Sequence, residues 1–288
     1  MNAIDAASLK EHGVMNVFYP PNLRAGVLEF QKACERFYAL PLDTKRAFPY
    51  EKFDHASGVG YEYKDNENQQ GISPDTRDFK ENLHLKMRYL PWLRETATRI
   101  GDPAVLELID AYEKFSGQLA PWVNSIAAAI EKQYELEGLA KDVMAGQDLW
   151  VLRTLNYFGD RSAGEQLASP HTDKCCFTPH LFESDSGLER LMYEREWVPM
   201  PVGAGETAII PGMQLQNISG NELKATWHRV MANERTASTG RQSMVCFITA
   251  ANRPIIDSDK AGRMQDLGIG GTYGMSYEEV RGLFKDVA

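Results

Sequence analysis

Three features of this 288-residue sequence predict a mainly β fold with flanking α-helices. The first half places apolar residues at three- and four-residue steps, the mark of amphipathic helices. The second half holds many short apolar or alternating runs punctuated by Gly and Pro clusters, the pattern of an antiparallel sandwich or barrel. The change of character falls near residue 148. Residues 1–147 are therefore expected to form a helical and loop region packed on a core made by residues 148–288, the two working as one unit.

In chain order, Val27, Phe30, Cys34, Phe37 and Leu40 mark one face of a helix that Pro41 closes. Residues 51–81 are polar and rich in Gly, Asn, Asp and Gln, which predicts a long loop with short strands, of the kind that serves as a lid or faces a substrate. Asp102-Pro103 has the form of an N-cap followed by proline at the first helical position. From there Val105, Ile109, Tyr112, Phe115, Leu119, Trp122, Ile126 and Ile130 form a long stripe, with a kink expected at Pro121. Strand candidates are 150–158, 175–182, 188–193, 207–210, 214–218, 225–232 and 242–250. A short helix over 277–287 is expected to close the chain.

Composition narrows the function. A hydrophobic content of 43 % is enough for a sizeable core. The net charge of -9, with no Lys- or Arg-rich run to offset it, argues against nucleic acid as a partner and leaves a small molecule as the expected one. No stretch approaches the roughly eighteen uncharged apolar residues of a membrane span. Asp5, Lys10 and Glu11 stand where a secretory signal would be apolar. Cys34, Cys175, Cys176 and Cys246 show neither zinc nor redox spacing, so they read as reduced thiols of a cytoplasmic protein. None of these features fixes an oligomeric state.

The chemistry concentrates in His171-Thr172-Asp173, followed 55 residues after the aspartate by His228 and then by Arg241-Gln242-Ser243. On an extended segment His171 and Asp173 point the same way. With His228 on a later strand they make a candidate site of two imidazoles and one carboxylate, the set that holds ferrous iron on one triangular face and leaves the opposite positions open. Arg241 and Ser243 share a strand face by the same period. A guanidinium fork beside a hydroxyl is a receptor for a carboxylate. Tyr157, on another strand, can add a hydroxyl to the same acid. Arg235 with Ser238 is a rival anion pair in turn-like sequence.

Around these residues stand Ser169-Pro170-His171-Thr172-Asp173 leading to Phe177-Thr178, Gly187-Leu188-Glu189, Trp197-Val198-Pro199, the run Gly205 to Gly212, Leu215-Gln216, Ser219-Gly220 and His228-Arg229-Val230. With them, residues 152–247 resemble the iron(II)- and 2-oxoglutarate-dependent oxygenases, in the branch that includes isopenicillin N synthase and the plant flavonoid and gibberellin oxygenases. Phe37 to Lys45 and Asp78 to Glu81 extend the likeness more weakly into the first half. Departures are a longer interval from His228 to Arg241, Phe158-Gly159 after the tyrosine, Met213 where an aspartate is common, and His180 and Phe182 at strand positions more often aliphatic or amide.

The resemblance implies a double-stranded β-helix (jelly-roll) core. It also implies Fe(2+) held by His171, Asp173 and His228, with 2-oxoglutarate and O2 as co-substrates. Arg241 and Ser243 would bind the distal carboxylate of 2-oxoglutarate, with Tyr157 assisting. Phe247, His180 and Phe182 would face the substrate. The implied reaction is hydroxylation, desaturation or ring closure of a small molecule, with release of succinate and carbon dioxide. Two alternatives stay open: an iron oxidase that works without 2-oxoglutarate, as isopenicillin N synthase does, and a non-catalytic metal-binding barrel.

Overall fold

The computed structural model describes residues 4–53, 58–63, 80–192, 196–200, 202 and 205–254. Eleven strands are found among them: β1 (Met15–Phe18), β2 (Gly60–Tyr63), β3 (Lys80–Leu85), β4 (Val151–Tyr157), β5 (Gln166–His171), β6 (Phe177–Glu183), β7 (Leu188–Leu191), β8 (Trp197–Pro199), β9 (Glu206–Pro211), β10 (His228–Met231) and β11 (Arg241–Phe247). They make a seven-stranded sheet in the order β1-β9-β6-β11-β4-β3-β2 and a four-stranded sheet in the order β5-β10-β7-β8. Every pairing between them is antiparallel.

The helices are α1 (Ser8–His12), α2 (Pro21–Tyr38), α3 (Leu42–Arg46), α4 (Leu90–Ile100), α5 (Pro103–Tyr134), α6 (Leu139–Ala145), α7 (Met213–Ile218) and α8 (Thr236–Thr239). Asp102 caps α5, its Oδ1 accepting from the Ala104 N–H at 2.8 Å. The helix then runs through Pro121 as one element. The predicted stripe is its buried face: Phe115 stacks on Phe30 of α2 with ring centroids 5.4 Å apart.

The large sheet has a different neighbour on each side, and strand period decides which side chain meets which. Leu83, Leu85, Leu152, Leu181, Ile209, Met244 and Cys246 join the core shared with α2 and α5. Leu155, Tyr157, Ala208, Ile210 and Val245 point the other way, onto Leu167, Ala168, Leu188 and Val230 of the small sheet. Two antiparallel sheets face to face, with helices backing one of them, are a jelly roll with flanking α.

Three expectations need correction. Beyond the short strands expected within 51–81, the first half also supplies β1, which pairs with β9 at one edge of the large sheet, and β3, which pairs with β4 and carries β2 at the other edge. Residues 214–218 form helix α7, not a strand. Six residues are too few to separate a period of 2 from one of 3.6, and the buried amides of Gln214 and Gln216 make the long-range bonds a strand backbone would have made. Gln214 both donates to the Ala250 carbonyl and accepts from the Ala250 N–H, and Gln216 accepts from the Ala225 N–H. Third, β5 and β8 carry too little apolar alternation to be seen beforehand. The helix expected over 277–287 lies outside the described residues, as does most of the loop expected over 51–81.

Candidate active site

His171 ends β5 and His228 begins β10, and the two are directly paired in register. Asp173 follows two residues after β5 ends. One ligand atom from each of these side chains lies within 4.8 Å of the other two. His171 Nε2 and His228 Nε2 are each 3.9 Å from Asp173 Oδ1. Each ring is held from behind by a backbone carbonyl two residues earlier: His171 Nδ1 by Ser169 at 2.7 Å and His228 Nδ1 by Thr226 at 3.0 Å. A carbonyl only accepts, so each ring carries a proton on Nδ1, and its neutral form presents a lone pair at Nε2.

Asp173 is fixed by Thr178, whose hydroxyl donates to Oδ2 at 2.5 Å. Gly212 allows this turn: a Cβ there would come 2.2 Å from the Cys175 carbonyl oxygen and 3.0 Å from that of Asp173. Burial opposes the charge on Asp173, but His228, His171 and the Thr178 hydroxyl together hold its carboxyl below the usual range. Burial, reinforced by His171, pushes the pKa of His228 down to about 3, so this imidazole is neutral near pH 7. A triangle of this size is slightly wide for bonds of about 2 Å to one ion, so the three side chains would close in on a bound metal. A carboxylate oxygen with two imidazole nitrogens is a donor set that suits iron(II).

Arg241 is buried at the start of β11, opposite Tyr157 in register, with its guanidinium carbon 5.9 Å from the Tyr157 ring centre. Its Nε donates to the carbonyls of Asp185 and Ser186, each at 3.3 Å. Ser243, also buried, follows on the same strand face. Between this pair and the metal ligands stands a side chain that sequence reading passed over. Glu183, opposite Ser243 in register, places Oε2 2.5 Å from Arg241 Nη2 and Oε1 3.1 Å from His180 Nδ1. A bulge at Leu181 turns His180 and Glu183 to the same side, and the His180 ring stands edge-on to that of His228 at 5.9 Å.

Phe247 packs against the core between the two sheets, on this side. Phe182 does not: it alternates away from Glu183 and packs against the helix-backed core, so its expected place in the pocket is withdrawn. Arg235, of the rival anion pair, is exposed and bonded to Asp185. The same inner face carries a polar row that sequence reading also missed. Asn82 and His84 on β3 lie buried beside Glu62 on β2, with His84 Nε2 3.3 Å from the Glu62 carboxylate. Arg153, opposite His84, adds to the field that lowers the pKa of Glu62. The signal was present in the alternation Asn82-Leu83-His84-Leu85, a strand with one apolar face.

A family model, that of the 2OG-Fe(II) oxygenase superfamily, matches residues 152–250, the segment that holds all three candidate metal ligands together with Arg241 and Ser243. No curated protein matches the sequence significantly. Among solved structures, the rice dioxygenase for auxin oxidation aligns over 95 % of this chain and 93 % of its own, with 20 % identity and a TM-score of 0.65. A full-length Neurospora crassa protein, solved in complex with alpha-KG, aligns over 84 % and 78 %, with 18 % identity and a TM-score of 0.65. The dioxygenase for auxin oxidation 1 of Arabidopsis thaliana, solved with 2-oxoglutarate, aligns over 88 % and 91 %, with 19 % identity and a TM-score of 0.62. At these identities the likeness is one of fold. With the family match, it makes this chain the bearer of a 2OG-Fe(II) oxygenase domain, the mark of a non-haem iron dioxygenase that works with Fe(2+), 2-oxoglutarate and O2.

Proposed function

We propose that His171, Asp173 and His228 hold the iron, that Arg241, Ser243 and Tyr157 receive 2-oxoglutarate, and that the enzyme hydroxylates, desaturates or cyclises a small molecule, releasing succinate and carbon dioxide. The observation that carries this reading is the triangle of donor atoms, within 4.8 Å of one another, on the strand side that also holds Arg241. Iron(II), when bound, supplies activation of dioxygen coupled to decarboxylation of the keto acid. The residues of the chain do the rest. Ser169 and Thr226 aim the two imidazoles, Thr178 aims the carboxylate, and Arg241 orients the keto acid from its far end. The apolar residues between the sheets, Phe247 among them, keep water from the reacting atoms.

The polar row of Glu62, Asn82, His84 and Arg153 supports a substrate with hydrogen-bonding groups. The Neurospora protein has also been solved with thymine, and the rice protein is a dioxygenase for auxin oxidation; both molecules are small, which supports the same scale here. No helix among the described residues is long and apolar enough to cross a membrane. All four cysteines are unpaired and buried, which supports a cytoplasmic location.

The test is substrate-stimulated succinate release from a library of small polar molecules, lost in His171→Ala and Asp173→Ala. Arg241→Ala is expected to weaken 2-oxoglutarate binding by about 2–5 kcal/mol. One observation favours the oxidase that dispenses with 2-oxoglutarate: Arg241 already has a carboxylate beside it in Glu183. Oxygen uptake without succinate would decide for that rival.

A further inference from the structure

The contact between Glu183 and Arg241 is close but poorly directed. Nη2 lies 2.5 Å from Oε2, with both side chains almost wholly buried at 1 % and 5 % exposure. Yet neither Nη1 nor Nη2 makes an aligned hydrogen bond, and neither does Glu183 Oε2. The Nε edge of the guanidinium is engaged with Asp185 and Ser186, so the unsatisfied atoms are the Nη1/Nη2 edge, a side that takes a carboxylate two-pronged. Nearby, His180 Nε2 is buried and also without a hydrogen bond, its Nδ1 being turned to Glu183 Oε1. A buried arginine needs a counter-charge. Glu183 supplies one while leaving the guanidinium's hydrogen-bonding capacity unspent.

We propose that Glu183 is a resident competitor for the keto-acid receptor: it shares Arg241 with the distal carboxylate of 2-oxoglutarate and so sets how tightly, and how selectively, the receptor takes a dicarboxylate. The inference rests on the assignment of Arg241 as that receptor. Two carboxylates beside one guanidinium repel each other in a medium that screens charge poorly. The ligand gains the two-pronged contact that Glu183 does not make, and loses part of that gain to Glu183. A keto acid without a distal carboxylate neither gains nor loses at this point.

The experiment is calorimetric titration of the full chain, loaded with iron(II) under nitrogen, with 2-oxoglutarate and with 2-oxopentanoate, which has a methyl group in place of the distal carboxylate. Glu183→Gln is expected to bind 2-oxoglutarate at least about tenfold more tightly, with 2-oxopentanoate unchanged. In an Arg241→Gln background the same substitution should have no effect. Without ligand, Glu183→Gln should melt at a lower temperature than wild type, and 2-oxoglutarate should raise that melting temperature by more than it raises the wild type's. Glu183→Asp keeps the charge but withdraws it by one methylene, and should tighten binding by less; it serves as the test if the glutamine variant does not fold. Unchanged or weaker 2-oxoglutarate binding in the variants that fold, or an equal gain for both acids, overturns the inference alone. If metal-loaded wild type and variants all bind no 2-oxoglutarate, the receptor assignment fails and this inference falls with it.

Discussion

On β3, Leu83 and Leu85 enter the helix-backed core, while Asn82 and His84 face the other sheet beside Glu62. The same strands thus build two faces with opposite habits. Where a charge is buried on the helix side, it is fully answered. Glu81 accepts from Lys45 at 2.7 Å, from Tyr61 at 2.5 Å and from Asn156 at 2.7 Å. On the inner face Asn82 Oδ1, His84 Nδ1, His180 Nε2 and Arg241 Nη1 are buried without a hydrogen bond. The helix side has Gln118 Oε1, Trp122 Nε1 and Trp150 Nε1 in the same state, but no charged group among the described residues. Unsatisfied buried polar atoms cost stability, and proteins keep such costs where function needs them. The helix side holds the molecule together, and the inner side carries the candidate site.

This division can be broken from either side. Asp173→Ala, on the inner face, should lower turnover by more than about a hundredfold, since loss even of outer partners of a metal costs 10- to 100-fold. The metal-free protein should lose little stability, because a buried charge leaves with the side chain; calorimetry with iron(II) and urea denaturation check the two halves. Phe115→Ala should do the reverse. It opens a cavity against Phe30 and should cost about 3–5 kcal/mol in urea unfolding, while the folded fraction binds metal with unchanged affinity.

The helix side was also the more legible in sequence. Val27, Phe30 and Phe37, or the stripe from Val105 to Ile130, repeat over enough turns for their period to be unmistakable. The candidate metal ligands, and Arg241 with Ser243, stood out in sequence for another reason: their chemistry is rare in combination. Glu183 was not, because a lone glutamate at a strand end carries no pattern; only its register opposite Ser243 and the bulge at Leu181 bring it to Arg241. Asn82 and His84 were hidden by the polar stretch before them, which reads as loop. Phe182 was misplaced by one step of alternation, enough to exchange one face of a strand for the other.

Two smaller effects sharpen the contrast. Thr178→Val keeps the shape of the side chain but removes the hydrogen bond to Asp173, and should reduce iron(II) affinity by about 10- to 100-fold. On the helix side, Asp142 on α6 clasps the segment after β11 through Asn252 at 2.9 Å and Arg253 at 2.6 Å. Burial alone would raise its pKa, but these two partners lower it below the ordinary aspartate value. The stabilisation is therefore complete above the unfolded value of about 3.9 and disappears as pH falls through the lower folded value. The melting-temperature gap between wild type and Asp142→Asn should stay constant from about pH 7 to 5, then close below about pH 4.

The central claim, that three residues from β5, the turn after it and β10 hold one ferrous ion with a keto acid beside it, meets its most direct test under nitrogen. Iron(II) is titrated into the protein with 2-oxoglutarate present while the visible charge-transfer absorption is recorded. The prediction is a band that saturates at one iron per chain, needs the keto acid, and is missing in Asp173→Ala and His228→Ala. A protein that binds iron but gives no such band, or a band that survives both substitutions, would contradict the claim.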